Sequence, residues 1–266
     1  MNPVEGRAVG KSFPAKMDRR LLGGKGSDDR NMAGDTNRLR DGDVTGCEPL
    51  PWGSNAVFML SLARGGRNTK AIYKPQRGEA PLWDFPDGTL YRRELASYVV
   101  SQTLGWGLVP PTVIRPGPYG IGAVQLFINT VPVNYENLAA RYPGALRRIA
   151  AFDWLVNNAD RKAGHCLQGE DGWIWAVDHG LTFHAVPKLR TVIWDFSGQP
   201  VPQNLVDDLG ILRKRLRNGD GLARNLSQLI SADEIDALEQ RLGVILEHPV
   251  FPAWSGSYRS VPWPPF

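Results

Sequence analysis

Two short stretches constrain this chain most: Asn157-Asn158-Ala159-Asp160-Arg161-Lys162-Ala163-Gly164-His165 and Ala176-Val177-Asp178-His179-Gly180. Each places a carboxylate at the end of an apolar run. Phe152, Leu155 and Val156 have helical spacing before the first stretch turns polar, and Trp173-Ile174-Trp175-Ala176-Val177 reads as a buried strand ending on Asp178. A fold that carries both must bring a helix end and a strand end together across a short hairpin. Alone, either stretch is equally a turn, since Asp before Arg-Lys-Ala-Gly is ordinary turn chemistry and Asp-His-Gly suits a left-handed glycine. Together they suit phosphoryl transfer, which needs alignment and charge neutralisation more than covalent chemistry. One carboxylate positions a hydroxyl while the other holds a divalent cation against phosphates.

A lysine upstream joins the two. In Ala71-Ile72-Tyr73-Lys74-Pro75 an apolar strand carries one cation just before a proline stops the ladder. Such a lysine contacts nucleotide phosphates as a point charge. One hairpin earlier, Gly53-Ser54-Asn55 is a turn entering the strand Ala56 to Leu60. It is placed to cover phosphates through backbone N–H groups, the Ser54 hydroxyl and Asn55, although with one glycine it is equally an ordinary hairpin turn.

The order of these parts resembles the phosphatidylinositol 3-/4-kinase superfamily, particularly its bacterial members and the type II phosphatidylinositol 4-kinases. The pieces that carry the resemblance are Tyr73-Lys74-Pro75 through Glu79, Arg93 to Tyr98, Leu104 to Pro110, Gln125-Leu126-Phe127-Ile128, Asp153 through Arg161, and Val177 to Phe183. The run Lys74 to Leu90 also resembles an actinobacterial group of these kinase-like proteins. The resemblance implies an α+β, two-lobed protein-kinase-like fold, with a β-rich N-lobe, a mainly helical C-lobe, and ATP with Mg²⁺ or Mn²⁺ between them. It implies Lys74 as the phosphate-binding lysine, Asp160 as the catalytic aspartate with Arg161 as a second catalytic residue, and Asp178 as the metal-binding aspartate. Gln125, Leu126, Phe127 and Ile128 become the linker whose backbone meets adenine. Two acids compete to brace the lysine, Glu79 and Glu94. A departure from the pattern falls at His165, where the family carries an asparagine that ligates metal. Imidazole suits Mn²⁺ better than Mg²⁺, so His165 is open to metal ligation, to replacing a second metal as a titratable cation, to phosphate contact, or to a purely structural role.

Composition agrees with a cytoplasmic enzyme of this size. The 266 residues form one catalytic unit: an N-terminal arm at 1–42, rich in Gly and basic residues, an N-lobe at 43–128 and a C-lobe at 129–266. Cys47 and Cys166 form neither a disulfide framework nor a zinc pattern. No apolar run suits a transmembrane segment or a signal peptide, and a net charge of +4 without aromatic-basic motifs argues against a nucleic-acid partner. The insertion Arg77 to Gly88 puts Trp83 and Phe85 between prolines, as a packed plug or as the lip of the cleft. Ser231 to Glu234 forms a capping box that opens a helix with Ile235, Leu238, Leu242 and Ile245 on one face, and Pro249 to Phe266 reads as an extended wrap. Lys188 and Arg190, after Asp178, either receive an anionic acceptor or cover surface. The acceptor is a hydroxyl on a small molecule, an inositol derivative or a protein. Transfer of AMP, and nucleotide binding without catalysis, are the competing functions on the same pocket.

Overall fold

The computed structural model describes residues 32–51, 55–219, 221–254, 256 and 258–266. Ser54 and residues 1–31 lie outside the described residues. Five strands, β1 (Asp43–Leu50), β2 (Val57–Arg64), β3 (Arg67–Pro75), β4 (Thr112–Gly117) and β5 (Gly120–Leu126), form one antiparallel sheet in the order β1-β2-β3-β5-β4. Residues alternate along β3, so Ala71, Tyr73 and Pro75 face the core while Lys74 points the other way. The buried face of the sheet gathers Leu60, Leu62, Ala71, Tyr73, Val113 and Val124.

A helix stands where the sequence reading placed an aperiodic arm. α1 (Met32–Asp41) buries Thr36 and Leu39 against the sheet, and Arg115 closes its C-terminal end by donating to the carbonyls of Leu39 (3.1 Å) and Gly42 (2.7 Å). Three apolar side chains, Met32, Ala33 and Leu39, in ten residues are too few to print a period, so the helix is held by tertiary partners rather than by its own pattern.

α2 (Leu90–Thr103) connects the sheet to the rest of the chain, and eleven of its fourteen residues are buried. It is therefore buried on nearly all sides, with Arg93, Glu94, Ser97 and Ser101 among the buried residues, rather than an amphipathic surface helix. The C-lobe follows: α3 (Tyr135–Arg141), α4 (Pro143–Val156), the small hairpin β6 (Cys166–Gln168) and β7 (Ile174–Ala176), then α5 (Gln203–Arg217), α6 (Leu222–Leu226) and α7 (Ala232–Glu247). Its core runs through Val100 of α2, Phe152 and Leu155 of α4, Leu209 of α5 and Leu242 of α7. The Ser231 capping box is present as read, with Ser231 Oγ accepting from Glu234 N and Glu234 Oε2 from Ser231 N. The tail runs back over the C-lobe, where Pro265 O accepts from Ala163 N at 2.9 Å.

One glycine matters to the placement of Lys74. Gly122 of β5 sits opposite Pro75, and a Cβ there would sit on the Lys74 carbonyl and 2.7 Å from the Tyr73 ring. The carbonyl and Pro75 Cα, also 2.7 Å away, are backbone, so neither can swing aside. Gly122→Ala is expected to lower stability by about 1–3 kcal/mol, read as a shifted urea midpoint at unchanged slope.

Candidate active site

The site begins with a buried ion pair. Asp153, inside α4, and Arg161, eight residues on, are both fully buried. Arg161 Nε donates to Asp153 Oδ2 (2.8 Å) and Nη2 to Oδ1 (2.9 Å), a bidentate fork. Its remaining N–H groups reach Val177 O (2.7 Å), His165 O (3.3 Å) and His179 Nε2 (2.8 Å). Burial alone would lower the guanidinium's pKa, but Asp153 outweighs it and holds the group firmly charged. Arg161, read from sequence as catalytic, is fully buried, and its guanidinium is spent on Asp153 and on carbonyls that fix the loop on which Asp160 rides.

Around this pair the loop and the following segment are laced together. Ala159 N donates to Leu181 O, Arg190 N to Asn158 O, Arg161 N to Arg190 O and Val192 N to Arg161 O, all between 2.9 and 3.0 Å. Asn157 ends α4 in the left-handed conformation (φ 54°), which asparagine tolerates. Its amide donates to His184 O and Val186 O and its carbonyl accepts from Lys188 N, each at 2.8 Å. Asn158 donates to Asp153 Oδ1 and accepts from Asp160 N, both at 2.9 Å.

Lys74 lies between two carboxylates brought from different lobes. Its ammonium pairs with Glu94 Oε1 of α2 and, at 2.8 Å, with Asp178 Oδ1. Burial would lower the Lys74 pKa, but Asp178 and Glu94 raise it above its ordinary value; the same ammonium holds Asp178 well below the usual carboxylate range. Glu94 is only 2 % exposed, and its second oxygen accepts from His179 N at 3.1 Å. The competition between the two acids is therefore resolved by geometry. Glu94 braces the lysine, whereas Glu79 accepts from Leu90 N (3.1 Å) and Tyr91 N (2.8 Å) and caps α2.

The Asp178 side chain is 49 % exposed, and its residue adopts a left-handed backbone (φ 59°) uncommon for a non-glycine. Its other oxygen, Oδ2, faces His165 Nε2 at 3.4 Å. Burial pushes the His165 pKa down to about 4 against the pull of Asp178, so the ring is neutral at physiological pH. Asp160 pairs with Lys162 (3.4 Å), and burial raises its pKa against that partner. Lys162, two residues after the aspartate, is a cation at the site that sequence reasoning passed over as turn polarity. Asp153 was also given no role, although a carboxylate inside Phe152-Asp153-Trp154-Leu155 demands a buried partner.

Other candidates are placed apart from this cluster. Gln125 points into the N-lobe, where its amide donates to Thr112 Oγ1, and the amides of Leu126 and Phe127 donate to Pro111 O and Lys70 O. Of the four linker residues, Ile128 has no hydrogen bond from its amide among the described residues. Asn55 accepts from Ala80 N and so fixes the insertion. The insertion's aromatics divide: Phe85 is buried against Arg93 and His184, whereas Trp83 is 92 % exposed beneath Lys188. Lys188 is paired with Asp84 (2.8 Å) and is not free to receive an anion. A cavity of about 520 Å³ adjoins the loop, lined by Thr130 to Glu136 at the start of α3, Gly164, Leu167 and Phe266.

Comparison with known proteins fits this geometry. No family model matches the chain. The chain is 40% identical over 264 aligned residues to protein Rv2133c of Mycobacterium tuberculosis (strain ATCC 25618 / H37Rv), covering 86% of this chain and 94% of that protein. It belongs to the Rv2133c family. Among solved structures it is similar to the Golgi casein kinase with Mn/ADP bound (15% identity, 89% of this chain and 79% of that one, TM-score 0.54). It is also similar to hydra Fam20 with sugar (16% identity, 83% and 88%, TM-score 0.53). At such identities the likeness establishes the fold, and the fold is kinase-like: an antiparallel N-terminal sheet and a helical C-terminal part, as expected from sequence.

Asp153→Ala leaves Arg161 charged and buried without its fork. The expected loss is about 3–5 kcal/mol of stability, measured by chemical denaturation.

Proposed function

We propose that this member of the Rv2133c family is an ATP-dependent phosphotransferase, related to the phosphatidylinositol-kinase-like enzymes its motifs resemble. The observation that carries this reading is the convergence of Lys74, Glu94 and Asp178, from a strand, a helix and a loop, in the same site as Asp160. A purely structural ion-pair cluster has no need of a half-exposed aspartate in a left-handed backbone.

In this reading Lys74 binds the α- and β-phosphates and Glu94 fixes where its ammonium points. Asp160 orients the acceptor hydroxyl and takes its proton; its raised pKa suits a base that must also let the proton go. Lys162 steadies the transferring group, and Ile128 offers its amide to adenine while Leu126 and Phe127 keep the linker in the sheet. Among the described residues no group of three or more His, Cys, Asp or Glu side chains could hold a metal ion. That fits Mg²⁺ or Mn²⁺ brought with the nucleotide, since such ions use one or two carboxylates and take the rest of their shell from phosphate and water. Asp178 is the residue to hold the ion, which when bound neutralises phosphate charge. The Golgi casein kinase structure, with its Mn/ADP, supports the same choice of ligand. The acceptor is a hydroxyl-bearing small molecule, an inositol derivative or a protein, and the cavity between Thr130 and Gly164 has room for a small one.

Lys74→Ala and Asp178→Ala are each expected to abolish the thermal stabilisation given by metal-ATP. For the parent protein this is roughly 2.7 kcal/mol at a hundred times the dissociation constant; variants stabilised like the parent would refute the assignment. Asp160→Asn should retain that stabilisation while label transfer from γ-labelled ATP to lysate or metabolite acceptors falls by about 10²-fold or more. Appearance of AMP rather than phosphate on the acceptor would replace the proposed reaction with nucleotidyl transfer.

A further inference from the structure

Residues 162–165 form a closed turn whose hydrogen bonds dictate the state of an imidazole. His165 N donates to Lys162 O at 3.1 Å, and Lys162 N donates back to His165 Nδ1 at 3.4 Å. The turn is anchored from outside, because Val177 N (3.0 Å) and Arg161 Nη1 (3.3 Å) both donate to His165 O. A backbone N–H aimed at Nδ1 requires a lone pair there. A neutral imidazole has one donor and one acceptor nitrogen, so the proton sits on Nε2, which faces Asp178 Oδ2 at 3.4 Å.

We infer that His165 is a positioning residue, an Nε2–H donor that fixes the Asp178 carboxylate and stays outside the coordination shell of any cation bound there. Ligation through Nε2 would move the proton to Nδ1, where it would confront the Lys162 N–H and leave two donors facing each other. The inference rests on the proposed function only in naming the cation. Its structural core is that Asp178 Oδ1 is bonded to Lys74 while Oδ2 lies 3.4 Å from His165 Nε2, so the carboxylate is flanked on both sides before any ligand arrives. A cation at Asp178 then meets a carboxylate with no nitrogen ligand beside it, an environment of oxygen character.

The tautomer is directly observable. In the ligand-free full chain labelled with ¹⁵N-histidine, long-range proton–nitrogen correlations, assigned by their loss in His165→Gln, are expected to show His165 protonated at Nε2 alone. A proton on Nδ1, or on both nitrogens at neutral pH, overturns the inference. In the Mn²⁺-ADP complex, pulsed electron paramagnetic resonance is expected to give the same nitrogen couplings for the parent and for His165→Gln. A metal-bound nitrogen present only in the parent overturns it. His165→Gln keeps an N–H donor and should retain Mn²⁺-ADP affinity, whereas His165→Leu, checked for folding by thermal melting, should lose about 10–100-fold. Equal affinity in His165→Leu would deny the positioning role. Failure of Mn²⁺-ADP to bind the parent would sink the proposed function, while the ligand-free tautomer would still decide this inference.

Discussion

The Asp153–Arg161 fork is the interaction on which the rest of the site depends. It joins the last turn of α4 to the loop that carries Asp160, and through the other guanidinium N–H groups it reaches the carbonyls of His165 and Val177 and the ring of His179. Two fully buried charges have a large desolvation cost, and a well-packed apolar pair would serve stability as well. What apolar side chains cannot do is hold three separate stretches by directed bonds. The fork therefore specifies geometry more than it adds stability, and Asp160, Asp178 and His165 inherit their relative positions from it.

Much of the fold was legible because its elements are written in local patterns. The strand bearing Lys74 and the capping box at Ser231 were read with little error, since period and capping chemistry are short-range properties. Lys74 and Asp178 could be picked out from residue type at element ends, and the structure pairs them. The partners of Arg161 and Glu79 could not. Arg161 sits beside a catalytic candidate in sequence yet turns inward, because its partner Asp153 lies eight residues back, in the last turn of α4. Glu79 and Glu94 are both acids near the lysine, and what separates them is that only Glu94 lies on the helix face directed at the cleft. The α1 helix escaped notice for a related reason: its stabilising partners, Arg115 and Tyr98, lie far along the chain.

α2 links the lobes through two consecutive residues with opposite duties. Arg93 is buried and donates to Thr182 O and Glu234, both in the C-lobe, while Glu94 next to it turns to Lys74 of the sheet. Because the two side chains share one helix, the lysine's brace is set by the C-lobe. Glu79 caps the same helix from the insertion, so a third segment fixes its axial position.

The insertion has a mechanical consequence. Asp84 grips Lys188, Phe85 packs edge-on against His184, and Lys188 lies over Trp83, so an N-lobe loop clasps the segment that follows Asp178. That segment is stitched in turn to the catalytic loop by Asn157. The clasp adds a further bridge to those made by Lys74 with Asp178 and by Arg93 with Glu234. Hinge-like opening must therefore unfasten an ion pair and an aromatic contact at the insertion together.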